Sequence, residues 1–377
     1  ALAGVWSLHA WSAEEVTPFE LGCEMRQWTI DDGLPSNQVK RLAQTPDGYI
    51  WVGCSNGLAR FNGTSFTRLS VAGSKMHEIN VADFWVDDEG ALWVLDARGH
   101  LLKRDAQGLQ LVADRDEVSI SASASLFKVK DRVMWLSHND DELKLWEHAN
   151  GRVDPLAGPV RAPSMYPGAC ILTKDDVAWA PFFFESGGWL SVREGKLELL
   201  PVSPTLGNVY HLFRDIDGEA RLLCDKGLGE YENGEWRVVE PFEVPVDRSL
   251  NIGQVVRDRS GRMWMGTQRG GLWVLRPGEV ARHVQCFPER STRDMSAVLL
   301  AADGSVYAAG RGGLFRFQPS SILKWPADED VRYSEIATIS EASDGTLWFA
   351  GHDGVFCLPQ GEGVRQVADP ARGKILN

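Results

Sequence analysis

The chain has 377 residues, of which 44% are hydrophobic and 24% are charged, so it can bury a substantial core. Its net charge of −13 excludes the basic surface that nucleic-acid binding requires and gives little attraction to anionic lipid. No stretch is long and apolar enough to span a bilayer, so the sequence predicts no membrane segment.

The first predicted element is a processing segment. Residues 1–13 are small or apolar and lack an initiator Met, and Glu14 and Glu15 follow them. This pattern is typical of the end of a secretory signal peptide, with an ordinary flexible N-terminus as the alternative. We therefore assign residues 1–25 to a signal-peptide remnant or N-terminal extension. We expect a periplasmic or otherwise extracytoplasmic location, and a sequence that is a fragment of a longer protein.

Residues 26–377 are organised by one position that returns every 41 to 44 residues and is nearly always aromatic. Its copies are Trp51, Trp93, Trp135, Trp179, Arg221, Trp264, Tyr307 and Trp348. A period of about 40–50 residues built from short strands is typical of a β-propeller. The sequence therefore predicts an all-β fold, a β-propeller of four-stranded antiparallel blades with eight repeats. The predicted repeat cores are residues 38–69, 79–113, 120–155, 165–201, 208–240, 251–284, 294–325 and 335–370.

The first repeat shows how one unit would form a blade. Four short strands are predicted between residues 38 and 69, separated by Pro46-Asp47-Gly48, Asn56-Gly57 and Asn62-Gly63. Such turns favour tight hairpins, because both central residues tolerate positive φ. The strand that contains Trp51 is apolar on successive residues, which predicts burial on both faces.

The segment Arg26–Ile30 has the pattern of an outer strand without a blade of its own. We expect it to complete the last blade and close the ring, in competition with residues 363–367. Eight blades are favoured. Seven blades followed by the start of a second propeller is the alternative.

The first repeat also resembles a known family. The phrase from Trp28 through Asp31-Asp32-Gly33-Leu34-Pro35-Ser36 to Val39, followed by Asp47-Gly48 and Trp51-Val52-Gly53, is similar to the two-component regulator propeller family. The resemblance is sharp in repeats one, six, seven and eight and degraded in repeats three to five. It implies an extracytoplasmic, ligand-sensing input module of a bacterial hybrid histidine kinase or related signalling protein. It also implies covalently linked output domains that this sequence does not contain.

No convincing catalytic constellation occurs in the sequence, so we expect a protein that is not an enzyme and has no cofactor or metal. Gly53-Cys54-Ser55-Asn56-Gly57 matches the G-x-S-x-G pattern, but it lies between two predicted strands rather than before a helix. The six Cys contain no C-x-x-C pair, and we expect buried free thiols, with disulfides left open for an exported protein.

Ligands of propellers generally lie over the central channel, on the face built from two types of loop. Repeat geometry selects candidate ligand-binding residues from these loops. They are Asn37, Asn56, His77, Arg98, His138, Tyr166, Phe183, Phe184, Tyr210, Arg269, Arg311, Tyr333 and His352. Phe183 and Phe184 belong to a longer loop in repeat four, where they either fold over the rim for stacking or plug a blade junction.

These observations favour a sensor propeller that binds a small polar ligand, with a carbohydrate as one candidate. Two alternatives from other classes remain. One is a propeller lyase or hydrolase similar to streptogramin lyases, for which His352 and Asp353 are the candidate pair. The other is a protein-interaction scaffold.

Overall fold

The computed structural model describes only part of the chain, and the structural statements below concern that part. The described residues are 15–71, 79–105, 108–114, 124–139, 142–161, 170–173, 177–182, 188–201, 205–232, 235–242, 251–286, 294–295, 297–320, 336–351, 354–358, 365–369 and 374–375. Of residues 1–25, predicted to be a signal-peptide remnant or N-terminal extension, residues 1–14 lie outside these ranges. The chain divides into two units, Ala1–Ser321 and Ile322–Asn377.

The described regular structure is all strand, apart from one 3-10 helix at Ile30–Asp32. The first two strands are β1 (Glu15–Val16) and β2 (Cys23–Trp28), and the next four form sheet 1: β3 (Val39–Gln44), β4 (Ile50–Cys54), β5 (Gly57–Phe61) and β6 (Phe66–Leu69). Sheet 2 contains β7 (Val81–Val86), β8 (Leu92–Asp96), β9 (His100–Asp105) and β10 (Gly108–Ala113). Sheet 3 contains β11 (Ala124–Val129), β12 (Arg132–Asn139), β13 (Glu142–Ala149) and β14 (Arg152–Arg161).

Sheets 4 to 7 complete the first unit. Sheet 4 contains β15 (Ile171–Leu172), β16 (Ala178–Phe182), β17 (Gly188–Arg193) and β18 (Lys196–Pro201). Sheet 5 contains β19 (Val209–Arg214), β20 (Ala220–Cys224), β21 (Gly227–Glu232) and β22 (Glu235–Pro241). Sheet 6 contains β23 (Ile252–Arg257), β24 (Met263–Thr267), β25 (Leu272–Leu275) and β26 (Arg282–Val284), with β1 added parallel to β26. Sheet 7 contains β27 (Ala297–Leu300), β28 (Val306–Gly310) and β29 (Gly313–Pro319), with β2 as its fourth strand.

The second unit contains sheet 8. Its strands are β30 (Ile336–Glu341), β31 (Leu347–Gly351), β32 (Gly354–Leu358), β33 (Arg365–Asp369) and β34 (Lys374–Ile375). Each predicted repeat therefore forms one antiparallel sheet, and the all-β propeller prediction is confirmed.

The first unit forms a closed ring by itself. Its innermost strands contact one another in the order β3, β7, β11, β15, β19, β23 and β27, and β27 contacts β3 again. The seven inner strands therefore surround one axis. Of the two blade counts left open by the sequence, the closed ring agrees with seven blades followed by one further repeat.

Strand β2 joins the two ends of this ring. It pairs antiparallel with β29 from Cys23 opposite Pro319 to Trp28 opposite Leu314, so an N-terminal strand does act as an outer strand. The sheet that it completes is sheet 7. The indole of Trp28 contacts the ring of Phe61 in sheet 1 at 4.8 Å between centroids. Because β2 starts at Cys23, its first residues precede the boundary that we placed at residue 26.

The recurring tryptophan is buried in most of the sheets that contain it. Trp51, Trp135 and Trp264 are completely buried. The indole Nε1 of Trp51 donates to Thr45 Oγ1 at 2.9 Å, and the Nε1 of Trp264 donates to Asp258 Oδ2 at 2.8 Å. The acceptor stands six residues before the tryptophan in both repeats, so these two repeats contain a hydrogen-bonded pair rather than a single aromatic residue.

Repeat five keeps the acceptor but replaces the tryptophan. Arg221 occupies that position, and its guanidinium lies 3.6 Å from Asp215, 2.6 Å from Asp217 and 2.8 Å from Glu230. An ion-pair network therefore replaces the indole and its hydrogen bond. This explains how the repeat that departs most from the aromatic pattern still forms a sheet.

In three turns that precede second strands, the glycine carries the positive φ. Gly48, Gly90 and Gly261 have φ of 85°, 80° and 84°, whereas Asp47, Glu89 and Ser260 before them do not have positive φ. The amide of Gly48 donates to the Thr45 carbonyl at 2.9 Å. This bond corresponds to a type I turn followed by a left-handed glycine.

Sheet 8 shows a different burial pattern from the others. Trp348 occupies the recurring tryptophan position, but 39% of its side chain is exposed, and Ile339 on the neighbouring strand is 64% exposed. The six Cys of the chain are buried free thiols, as expected from the sequence.

Candidate functional site

A β-bulge near the start of the inner strand recurs in several sheets. The pairing register shifts between Val39 and Arg41 in β3, between Val81 and Asp83 in β7, between Val209 and His211 in β19 and between Ile252 and Gln254 in β23. Bulges re-aim the side chains that follow them and are common at functional sites. We call Arg41, Asp83, Ser125, His211 and Gln254 the inner belt, because they occupy corresponding positions on five inner strands.

Arg41 and Asp83 connect sheets 1 and 2 within the inner belt. The Nε of Arg41 donates to Asp83 Oδ1 at 2.9 Å, and its Nη1 donates to the Lys40 carbonyl at 3.0 Å. The second carboxylate oxygen of Asp83 accepts from the amide of Leu126 in sheet 3 at 2.8 Å. Both oxygens of Asp83 are therefore used to hold neighbouring sheets together.

Ser125 and Gln254 make the same kind of connection. Ser125 Oγ accepts from the amide of Cys170 in sheet 4 at 2.8 Å, and Gln254 Oε1 accepts from the amide of Val298 in sheet 7 at 2.9 Å. At Asp83, Ser125 and Gln254, a polar side chain thus satisfies a backbone amide of the next inner strand, as buried amides require.

His211 differs from these three members of the inner belt. It is only 3% exposed, and the hydrogen bonds of the described residues include none to its imidazole. Burial, followed by the positive charge of Arg41, lowers the pKa of His211 from 6.5 to about 4. The imidazole is therefore neutral near pH 7, with one donor and one acceptor nitrogen.

A second polar layer lies where the second strands end. Asp96 accepts from the amides of Asn80 at 2.6 Å and Arg98 at 2.7 Å, and its Oδ1 lies 3.2 Å from His100 Nδ1. The Nζ of Lys40 donates to Asn80 Oδ1 at 2.7 Å, and burial, followed by the charge of Arg41, lowers the pKa of Lys40. These contacts fix the start of β7 against the end of β8.

Six of the candidate residues can be placed in the structure. Asn37 Oδ1 accepts from the amide of Ile30 at 2.9 Å, and Tyr210, which is 9% exposed, donates its hydroxyl to Asp225 Oδ1 at 2.7 Å. The exposed Arg311 lies 3.2 Å from Asp294. Asn56, Arg98 and Arg269 are exposed. Asn37 and Tyr210 thus have structural hydrogen bonds, whereas the other four are accessible.

The remaining candidates cannot be placed. His77, Tyr166, Phe183, Phe184, Tyr333 and His352 lie outside the described residues. His138 belongs to β12, but its side chain is outside the described part. Their roles in ligand binding stay predictions.

The inner belt was missed by the sequence reasoning, which considered only loops. A signal was present, because Arg41, Asp83 and Ser125 follow one another at steps of 42 residues, the same step that separates Trp51, Trp93 and Trp135. A polar residue two positions after a valine at the repeat period marks the bulge in Val39-Lys40-Arg41 and Val81-Ala82-Asp83.

The described residues contain no cluster of three or more His, Cys, Asp or Glu side chains arranged to hold a metal ion. Within the same residues, no helix has the length and apolar character needed to cross a membrane.

Comparison with known families confirms the resemblance. The sequence model of the two component regulator propeller family matches residues 33–56, which contain Trp51 and the first Asp-Gly turn. Among curated proteins, none matches the chain.

Solved structures share the fold. One is the extracellular domain of a protein described as a hybrid two-component system from B. thetaiotaomicron, with 13% identity and a TM-score of 0.61 over 92% of this chain and 49% of that chain. A second extracellular domain of this kind from the same organism has 14% identity and a TM-score of 0.59, over 92% of this chain and 47% of that one. A streptogramin B lyase has 14% identity and a TM-score of 0.60, over 78% of this chain and 97% of the lyase. This chain thus spans about half the length of the two extracellular domains.

Proposed function

We propose that this chain is the ligand-binding part of an extracytoplasmic sensor, the input module of a bacterial signal-transduction protein, and that it is not an enzyme. The observation that carries the proposal is the family match at residues 33–56. The fold shared with extracellular domains of hybrid two-component systems over 92% of this chain supports it. Fold alone does not determine function, so the binding event has to be tested directly.

The ligand would bind on the loop face and at the inner belt. Arg98 and Arg269 are exposed in the loops. The inner belt contributes Arg41 on β3 and His211 on β19, which are separated by three inner-strand contacts in one direction around the ring and by four in the other. Charged and polar groups around a concave opening suit a small polar ligand such as a carbohydrate. Ligand capture would act on output domains linked to this chain by favouring one of their arrangements, and it can do so only as far as the ligand binds that arrangement more tightly.

Thermal unfolding in the presence of a panel of mono- and oligosaccharides, sugar acids and amino acids tests this proposal. A ligand present at about 100 times its dissociation constant should stabilise the fold by about 2.7 kcal/mol. The matched pair of variants is Arg98→Ala, on the loop face, and Arg237→Ala, on the outer strand of sheet 5. We expect weaker stabilisation for Arg98→Ala only. If no compound of the panel stabilises the protein, the sensor proposal fails.

A lyase is the second candidate, because a streptogramin B lyase shares the fold over 97% of its own length. Incubation with a streptogramin B antibiotic and Mg²⁺, followed by mass spectrometry, separates the two functions. The sensor proposal predicts unchanged antibiotic. Turnover that depends on the metal and is lost in His352→Ala would establish the lyase and overturn the sensor proposal.

A further inference from the structure

We propose that the inner belt binds a carboxylate group between Arg41 and His211, so that the ligand of this ring is a small carboxylic acid. This inference rests on the proposed function, because it names the chemical class of the ligand. Three features of the described residues carry it: a guanidinium edge without a partner, a buried imidazole without a partner, and the position of both on inner strands of one closed ring.

The guanidinium of Arg41 is only partly used by the protein. Its Nε donates to Asp83 Oδ1 at 2.9 Å and its Nη1 donates to the Lys40 carbonyl at 3.0 Å. Its Nη2 has no partner among the described residues, and 37% of the side chain is exposed. A guanidinium presents its donors in a fixed fork that matches a carboxylate, so the unused edge favours a planar anion.

Asp83 does not neutralise this edge completely. Its Oδ1 accepts from Arg41 and its Oδ2 accepts from the amide of Leu126 at 2.8 Å. Because both oxygens are already hydrogen-bonded, Asp83 cannot turn toward the Nη2 of Arg41 without releasing sheet 3. The positive edge therefore remains available to a ligand.

His211 is the second group that would bind the carboxylate. Asp83, Ser125 and Gln254 each accept from a backbone amide of the next sheet, at 2.8, 2.8 and 2.9 Å. The imidazole of His211 makes no such bond among the described residues, although it is 3% exposed. An oxygen of a bound carboxylate would give the imidazole N–H an acceptor.

The ring places the two groups around the same axis. Arg41 belongs to sheet 1 and His211 to sheet 5, and three inner-strand contacts separate them in one direction around the ring and four in the other. The charge of Arg41 still acts on the imidazole, where it lowers the pKa together with burial. A carboxylate between them would accept from Arg41 Nη2 and from the N–H of neutral His211, whereas a neutral ligand would offer the Nη2 edge no charged acceptor.

The test compares acetate with acetamide, which has nearly the same shape but no charge. The protein is labelled with ¹³C and ¹⁵N in its histidines, and the His211 signals are assigned by their loss in His211→Gln. We expect acetate to shift the His211 signals in a saturable way and acetamide to leave them unchanged. Equal effects of the two compounds, or no effect of acetate, would overturn the proposal.

Two Arg41 variants test whether the positive charge of this side chain is needed to bind acetate. Arg41→Gln should weaken acetate binding about tenfold or more, the effect of losing one charge-assisted hydrogen bond. Arg41→Lys keeps a cation beside Asp83 and should bind acetate with intermediate affinity, which separates loss of the site from loss of folding. Unchanged acetate affinity in folded Arg41→Gln would contradict the proposal.

The result is independent of the test of the proposed function. If a neutral sugar stabilises the protein while acetate leaves His211 unchanged, the sensor function stands and the carboxylate site fails. If acetate binds at His211 but the wider panel gives no ligand, the carboxylate site stands and the sensor proposal fails.

Discussion

Trp51, Trp93 and Trp264 each donate their indole N–H to a side chain six residues earlier. Thr45 and Asp258 accept the indole N–H of Trp51 and Trp264, whereas Val129 occupies the same position before Trp135 and cannot accept. The Nε1 of Trp135 is buried and has no partner among the described residues, although its ring stacks on Trp146 at 6.5 Å. The third repeat therefore buries the aromatic residue without its hydrogen bond.

This difference gives a matched pair of substitutions. Thr45→Val removes the acceptor of Trp51 and should lower the free energy of unfolding by about 1–3 kcal/mol, because the buried N–H is left unsatisfied. Val129→Thr adds an acceptor of nearly the same size and should stabilise the protein by about 1 kcal/mol. Urea unfolding monitored by tryptophan fluorescence measures both changes. A neutral Thr45→Val would show that the repeat selects the aromatic ring alone.

His211 makes stability depend on pH. Burial and the charge of Arg41 lower its pKa from 6.5 to about 4, so the folded state binds fewer protons than the unfolded state in this range. Stability should therefore be full above about pH 6.5 and should fall as the pH decreases toward 4.

Comparison of two histidine variants measures this contribution. His211→Gln should flatten the decrease in the free energy of unfolding between about pH 6.5 and 4, because the titrating group is gone. The side chain of His283 is 29% exposed, so His283→Gln should flatten it less. The same slope in wild type and His211→Gln would mean that the imidazole is not desolvated in the folded protein.

At the scale of the strand, β2 is the element that converts an open row of sheets into a ring. Strands β27 to β29 supply three strands of sheet 7, and β2 supplies the fourth from about 290 residues earlier in the chain. Side chains of sheets 7 and 1, including Trp28, Phe61 and Tyr307, share one buried cluster. Closure therefore combines a strand pairing with an apolar contact between the first and last sheets.

An engineered disulfide tests this pairing. Glu24 and Gln318 are exposed and stand directly opposite each other in the β2–β29 ladder, so Glu24→Cys with Gln318→Cys should form a disulfide on oxidation. The closed loop is long, and the bond should stabilise the fold by about 2–4 kcal/mol. Glu24→Cys with Thr67→Cys, on the outer strand of sheet 1, is the control. Cross-linking of the control pair but not of the first would contradict the pairing.

The strands were largely predictable because their signals are local. The Asp-Gly turns, the alternation of Gln38–Ala43 and the apolar run at Ile50–Val52 depend only on neighbours in sequence. The turn type was not predictable, because an Asp-Gly pair is compatible with more than one turn and the loop length decides between them. The bulges before Arg41 and Asp83 were missed, because they depend on how an inner strand meets the next sheet.

At the scale of the whole molecule, the sequence predicted the repeats but left the closure of the ring open. Eight similar repeats do not reveal which two sheets pack against each other where the ring closes, because all the sheets have similar packing surfaces. The sheet that β2 completes determines where the ring closes. The outer-strand pattern in the sequence of β2 is compatible with sheet 7 and sheet 8 equally well. The structure resolves it within the first unit, where β27 contacts β3.

A shortened chain tests whether the ring is self-contained. Residues 1–321 contain all seven sheets that contact one another in sequence, including the β2 closure. We expect this fragment to unfold cooperatively and with nearly the same midpoint as the full chain, as measured by circular dichroism. A broad transition, or insoluble protein that is rescued by adding back residues 322–377, would show that closure needs the eighth repeat.

The proposed ligand-binding surface is the face of the ring formed by the inner strands and their loops. Hydrogen exchange measured by mass spectrometry, with and without the most stabilising compound of the panel, tests this claim most directly. Binding should slow exchange in peptides that cover residues 37–41, 79–83 and 208–211, while the outer strands β6 and β22 remain unchanged. Protection confined to the outer strands, or absent throughout, would contradict the account.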